Sequence, residues 1–367
     1  MTIPASGPAV RDQLDLLVEA AGRPQVTLYL PTPSATEDAA RQFDVRRRHL
    51  ESELAAAGAP DGAAEVMAAA LAAHHHSDGE TLLLVADAER VLLDQALRRP
   101  VRRQLVRVGP APALLPALRA EQDDLYHVAV LLDREGADVW VRSGLGPADE
   151  HATVAGDTEH IHRGHPGGWS QRRFQQRAEG TWDANARLVV DEVRGQVDLD
   201  RVDHLVVAGD ERAVGFFVAA LPAGARQRMV EVDGSRHADH DLFLDAVDTA
   251  IRSAAKQAEV GEIRQLRDEL AADTAVEGIE VLSLLSQGRV EVLFVADDTD
   301  DDDRLQVPFS TDPLLAGPMA EEAGPAGHGP ASDLAVLIAH SMGSEIHVLP
   351  SRGARNPHQG LGARLRG

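Results

Sequence analysis

The sequence contains no cysteine. Disulfides, thiol nucleophiles and cysteine-ligated zinc are excluded together, and the composition fits a reducing compartment. Lysine is almost absent too, with Lys256 the single example, so nearly all positive charge is arginine. Acidic side chains number 59 against 36 basic ones, a formal net charge of −23. A broad cationic surface for nucleic acid is thereby excluded, and any contact with RNA must be local. Aromatic residues make up only 3%, so the cores must be built from leucine, valine and alanine. Long apolar runs are missing. Val128–Leu132 and Leu334–Ala339 are far shorter than the roughly 20 residues a bilayer-spanning helix needs. The N-terminus lacks the basic, apolar and small-residue regions of a signal peptide, so no membrane partner and a cytoplasmic address are expected. No Gly-x-x-x-x-Gly-Lys-Ser/Thr loop occurs, which argues against a GTPase.

What is present is ordinary for a folded protein: 367 residues, 44% hydrophobic and 26% charged, enough for two or three domains. The pattern predicts an α/β fold in three regions, with domains at 1–120, 121–255 and 256–367. In the first, Gln25–Leu30 is a strand, Ala39–Ala57 and Ala63–Ala73 are helical, and Thr81–Ala86 and Arg90–Leu93 form a hairpin. The proline-rich segment Gly109–Pro116 reads as a connector. The second region opens with a hairpin of His127–Leu132 and Ala137–Arg142 around Asp133–Gly136. A long helix follows from Phe174, with Ala178, Trp182, Ala186, Val189 and Val193 at three- and four-residue steps. Strand His204–Ala208, helix Ala213–Leu221 and strand Arg228–Val232 continue the alternation. A helix from Asp239 to about Leu270 leads into the third region. There, helix Val276–Gln287, strand Val290–Ala296, helix Ser332–Met342 and strand Glu345–Leu349 are expected. The acidic run Asp297–Asp303 reads as a solvated loop, since packed like charges repel. It lacks the turn glycine and terminal glutamate of a calcium loop.

The least ordinary segment is the loop 160–174. Between His160 and Arg177 stand four arginines, Arg163, Arg172, Arg173 and Arg177, with His160, His162 and His165 and no carboxylate. Such a local sign reversal is what a loop needs to approach RNA phosphates. Gly164, Gly167 and Gly168 permit close backbone approach, and the start of the next helix adds N–H groups that favour anions. The alternative is a surface loop whose arginines pair with the acidic body. A metal site is not expected: the three histidines have no neighbouring carboxylate, and His74–His76 is equally unsupported. Ser170 lacks the second glycine of a nucleophile elbow.

The run Gly167-Gly168-Trp169-Ser170-Gln171-Arg172-Arg173-Phe174, followed by a long amphipathic helix, resembles the Gly-Gly-Gln loop of class-1 peptide chain release factors. Further, Gly278–Val295 and Gly360–Arg366 resemble the last domain of the release factor and Pelota superfamily, similar to the ribosomal-protein L7Ae fold. Val26–Thr32 resembles the opening strand of the bacterial branch. The resemblance implies a three-domain release-factor or Pelota-like architecture with mixed-sheet α/β domains. It implies the ribosome as partner through its A site and peptidyl transferase centre, contacts with rRNA and tRNA, a translational elongation factor as helper, a monomer, and no cofactor.

In that family the glutamine orients a water toward the ester joining peptide to tRNA, mostly by positioning. Here Trp169 occupies the glutamine slot, and indole offers one donor and no acceptor. Two readings follow. Either the protein is a hibernation factor that occupies the A site of idle ribosomes, with His160, His162, Arg163, His165, Trp169, Arg172, Arg173 and Arg177 on RNA. Or it is a peptidyl-tRNA hydrolase using Gln171, with Gly167 and Gly168 giving backbone access. A stress protein that binds RNA away from the ribosome is the weaker third. For Trp169 the alternative to stacking on a base is packing on its own helix. No Asn-Ile-Lys-Ser element occurs in the first region, so stop-codon reading is not expected.

Overall fold

The structure, a computed structural model, describes residues 10–31, 48–50, 52–73, 81–97, 104–144, 150–157, 170–299, 304–309, 327–350 and 356–367, and of residues 73 and 170–178 the backbone only. It divides into two compact units, one built on residues 123–258, the other on 5–122 and 259–367. The fold is mixed α/β.

The first unit holds a five-stranded sheet in the order Glu150–Ala155, Gly136–Ser143, Tyr126–Leu132, His204–Gly209, Met229–Glu231. The first three strands are antiparallel neighbours and the last two join in parallel. Strand side chains alternate between faces, and here both faces are buried. Val128, Val130, Val139, Leu205 and Val207 pack under Ala186, Val189 and Val193 of the helix Ser170–Gln196, and against Val214 and Phe217 of the helix Glu211–Ala220. Ala129, Leu131, Trp140, Val206 and Ala208 meet Phe243, Val247 and Ile251 of the helix His240–Ala271. Those last three residues recur every fourth position, the spacing that keeps one helix stripe on the sheet.

His127 lies fully buried in this sheet. Its Nδ1 is 2.9 Å from the Leu125 carbonyl, and its Nε2 has no hydrogen-bond partner. Burial pushes its pKa down, with the Arg142 charge adding and the Leu125 bond partly offsetting. The folded state therefore binds the proton less well than the unfolded chain, and stability is lost as pH falls below the ordinary histidine value of about 6.5. Urea titrations followed by tryptophan fluorescence at pH 7.5 and 5.5 (about one unit either side of that value) are expected to show this loss. It should shrink in His127→Phe, and an unchanged slope would remove His127 from the account.

The second unit carries two four-stranded sheets. One runs Val91–Leu97, Thr81–Ala86, Gln25–Pro31, Leu105–Gly109, and the other Ala275–Glu277, Leu361–Leu365, Val290–Ala296, Glu345–Leu349. They share one core: Tyr29, Leu83 and Val85 of the first belong with Val281, Leu293, Val295, Leu334 and Ile338 of the second. The opposite face of the first sheet, with Leu28, Leu82 and Leu84, is covered by Leu54, Met67 and Leu71.

Three local expectations change. Residues 276–287 are not one helix: Ala275–Glu277 is a strand and the helix is Glu280–Ser286. Gly278 separates them at φ 81, its N–H donating to Leu361 O at 2.8 Å; strand pairing with Gly362–Arg364 overrides an ambiguous apolar pattern. The segment Gly109–Pro116 is packed, with Ala113 and Leu114 buried. Ala113 accepts from the Tyr29 hydroxyl at 2.8 Å and donates to Thr27 Oγ1 at 3.1 Å. The described start of the acidic run is not solvated either: Asp297 and Asp298 are half-buried and Thr299 is buried. Residues 300–303 lie outside the described residues.

Candidate nucleic-acid interface and its anchor

The basic loop belongs to the first unit. His160, His162, Arg163, His165, Gly167, Gly168 and Trp169 lie outside the described residues. Gln171, Arg172, Arg173 and Arg177 fall in the first turns of the helix Ser170–Gln196, which therefore starts four residues before the expected Phe174. Arg173 and Arg177 are one helical turn apart on one face. At 27 residues this helix extends about 40 Å.

What the structure places in full is the framework on which the loop is mounted. The chain enters the loop from the strand Glu150–Ala155, which sequence reading did not find. Its pairing with Gly136–Ser143 leads to Gly156, whose N–H donates to Glu135 O at 2.6 Å. The next residue is gripped by Asn185, from the middle of the long helix. Asn185 Oδ1 accepts from the Asp157 N–H at 2.9 Å, and its Nδ2 donates to Asp157 O at 3.1 Å and to Arg134 O at 2.9 Å. The side chain is 6% exposed. One amide thus ties together the loop's entry strand, the helix that follows the loop, and the hairpin turn.

Local sequence explains why the three meet. A Cβ on Gly156 would stand 2.3 Å from Asn185 Cγ, so only glycine lets the strand end lie against that side chain. Gly136, at φ +154, has Val154 O at 1.9 Å from the position a Cβ would take. Asp133 holds the turn by accepting from Glu135 N at 2.8 Å and Gly136 N at 2.9 Å. The side chain of Asp133 also accepts from Arg236 Nη1 at 2.9 Å.

Two charged clusters stiffen the framework. On the long helix, Trp182 is 7% exposed and carries the Arg134 guanidinium 4.8 Å and the Arg212 guanidinium 5.8 Å from its ring centroid, in cation–π range. Arg134 pairs with Asp210 at 2.8 Å, and Asp210 caps the next helix by accepting from Arg212 N and Ala213 N. Burial alone would raise the Asp210 pKa; the Arg134 hydrogen bond and charge and the two cap N–H groups outweigh it and hold it below the ordinary range. In the second cluster Asp138 accepts from Thr153 Oγ1 at 2.7 Å and Arg236 Nε at 2.8 Å. Burial again opposes, yet those bonds keep its pKa low. Trp140 beside it stacks on His151 at 4.8 Å.

Sequence reading missed Asn185, Arg134 and Asp138. A signal for Asn185 was available: it is a lone amide on the helix stripe that otherwise carries Trp182, Ala186 and Val189. Among the described residues no group of three or more His, Asp or Glu side chains is arranged to hold a metal ion, and no helix is long and apolar enough to cross a membrane.

Residues 126–275 match the family described as bacterial archaeo-eukaryotic release factor family 2. Over 295 residues the chain is 24% identical to the uncharacterized protein Rv2629 of Mycobacterium tuberculosis, covering 78% of each chain. Among solved structures it is similar to an archaeal translation termination factor, aRF1, with 15% identity and a TM-score of 0.27 over 98% of this chain and 99% of that one. It is also similar to Dom34 of S. cerevisiae, a translation termination-like factor, with 11% identity and a TM-score of 0.40 over 98% and 91%.

Proposed function

We propose that this chain, whose residues 126–275 match bacterial archaeo-eukaryotic release factor family 2, acts as a release-factor-like protein that binds the ribosome. The proposed role is that of a hibernation factor occupying the vacant A site of idle ribosomes, with the loop 160–174 directed toward the peptidyl transferase centre.

The observation that carries this reading is the mounting of the loop. A carboxylate-free segment with four arginines leaves a framework held by Asn185 through three hydrogen bonds. Holding the base of a long reach rigid reduces the ordering entropy paid when its tip enters RNA. The chain elsewhere is acidic, which disfavours non-specific phosphate binding and restricts contact to this end. Trp169 in the glutamine slot favours occupancy over hydrolysis, because an indole cannot hold a water from both sides. Within the same reading, 1–120, 121–255 and 256–367 act as three domains. The last serves as an L7Ae-like module toward the stalk base or an elongation factor, and the protein works as a cytoplasmic monomer.

Sedimentation with ribosomes at low and high salt tests the proposal. Wild type is expected in the ribosomal fractions at low salt, and Arg172→Glu with Arg173→Glu at the top of the gradient. Equal sedimentation of the two would take the arginines out of the interface, and wild type that never enters the ribosomal fractions would overturn ribosome binding. Incubation with ribosomes carrying peptidyl-tRNA separates occupancy from chemistry. No peptide release is expected; release by wild type but not by Gln171→Ala would replace the hibernation role with peptidyl-tRNA hydrolysis.

A further inference from the structure

Trp182, 7% exposed on the long helix, gathers two guanidinia, Arg134 at 4.8 Å and Arg212 at 5.8 Å from its ring centroid. Like charges held near one ring repel, and cation–π attraction offsets only part of that repulsion. Arg134 has a counter-charge, since Asp210 Oδ2 lies 2.8 Å from its Nη2. Burial opposes ionisation of Asp210, but the Arg134 bond and charge and the two cap N–H groups outweigh it. Arg212 has no such counter-charge. Its side chain is exposed, and among the described residues it makes no hydrogen bond and no ion pair. Glu135 and Glu211, next in the chain to Arg134 and Arg212, are exposed and pair with neither guanidinium. The cluster on the indole therefore keeps one positive charge uncompensated.

Local stability does not explain why an arginine stands there. Arg212 lies in the first turn of the helix Glu211–Ala220, where the helix dipole disfavours a cation. Its contribution to the cap is the backbone N–H given to Asp210 Oδ1 at 3.1 Å, which any residue except proline could supply. The five N–H donors of the guanidinium are left for a group outside the chain.

The position of the cluster indicates what that group is. Arg134 belongs to the framework of the basic loop, its carbonyl accepting from Asn185 Nδ2 at 2.9 Å, and Trp182 stands one helical turn before Asn185. The surplus charge thus sits at the root of a segment with four arginines and no carboxylate. Its complement is an acceptor-only group with a single negative charge. A backbone phosphodiester is such a group, and its paired oxygens match the planar fork of arginine. A phosphate also belongs to a repeating chain of charges, so the strand that meets the loop can supply the next one to Arg212.

We propose that Arg212, held on Trp182 beside Arg134, seats one backbone phosphate of an RNA strand that continues from the basic loop. The proposal rests on the ribosome-directed reading for the identity of the strand. The seat itself uses residues outside 160–174, so the loop and the seat can fail separately.

The test uses the full-length protein with isotope-labelled tryptophan. Its three tryptophans give three indole N–H signals in NMR, assigned with Trp140→Phe, Trp169→Phe and Trp182→Phe. A short single-stranded RNA is expected to shift the Trp182 signal, and Arg212→Ala to abolish that shift while the Trp140 signal stays in place. The RNA affinity of this variant should fall about fivefold at roughly 0.1 M salt, and the salt slope by about 0.7, the amount for one single-strand phosphate contact. Arg212→Lys keeps the charge and should restore most of the slope. Arg187→Ala removes another exposed arginine of the same helix as Trp182 and controls for net charge. A shift of Trp169 without Trp182 would overturn the seat and leave the loop standing; a shift of Trp182 without Trp169 would support the seat and remove the loop. No shift of either signal, a Trp182 shift that survives Arg212→Ala, or an equal loss of affinity in Arg187→Ala would overturn the proposal. So would a Trp182 response to inorganic phosphate or polyglutamate as strong as the response to RNA.

Discussion

Asp333 is expected to make the stability of the second unit fall by about 4 kcal/mol between acid and mildly alkaline pH. Burial pushes its pKa from 3.8 to about 7, with Arg304 opposing and Asp298 adding. The folded value lies above the unfolded one, so the protonated form is what folding favours. The contribution is complete below the unfolded value, declines as pH rises through the folded value, and is gone by about pH 8. A separation of roughly three pK units at 1.36 kcal/mol each gives the figure. Asp333→Asn removes the titration while keeping the side chain's shape. The informative quantity is the difference between wild type and variant, measured by calorimetry at several pH values, because any fixed cost of leaving Arg304 beside an amide cancels. The stability of wild type relative to the variant should drop by several kcal/mol as pH rises from the unfolded value of 3.8 to just above the folded value of about 7. A difference independent of pH would mean that Asp333 is ionised throughout and that the Arg304 pair, 3.8 Å apart, holds it so.

The second large effect concerns the anchor. Asn185→Ala is expected to destabilise the first unit by roughly 3 kcal/mol, about one for each of the lost hydrogen bonds to Asp157 and Arg134. A cavity against Gly156 adds to the cost. All three tryptophans lie between residues 140 and 182, so fluorescence-monitored urea unfolding reports on this unit. At low denaturant, where the variant is still folded, its affinity for ribosomes is expected to drop as well, since the strand that feeds the loop is no longer tied to the helix that leaves it. Unchanged ribosome binding with the full stability loss would make Asn185 a purely structural residue. Asn185→Asp separates the terms differently: it keeps Oδ1 for the Asp157 N–H but loses both donations from Nδ2 and buries a charge, and it should be no more stable than the alanine variant.

The α/β alternation and most elements were legible because their signals are local. The hairpin around Asp133–Gly136 needs only a turn between two apolar runs, and it appears as Tyr126–Leu132 paired with Gly136–Ser143. The helices His240–Ala271 and Ala331–Ser341 follow their apolar stripes to within about one residue. Strands that depend on a distant partner were not legible. Glu150–Ala155 is an edge strand with only one mostly exposed face, and Leu361–Leu365 is set by pairing with Val290–Val295 across the chain. In the candidate site the loop's charge and glycines could be read directly. Asn185 could not be assigned its partners, because Arg134 and Asp157 lie far from it in sequence.

The basic loop, where composition turned from acidic to arginine-rich, was therefore determined by sequence alone: charge and glycine content belong to the residues themselves, whatever their neighbours. Tertiary structure decided what the loop is fastened to and which charged groups are buried beside one another. Both rest on pairs that only folding brings together, an amide on a helix with a strand end, and a buried carboxylate with a guanidinium across a cavity. A hydrogen bond needs its two ends within about 3 Å, and sequence spacing does not fix that distance between elements that meet only through the fold.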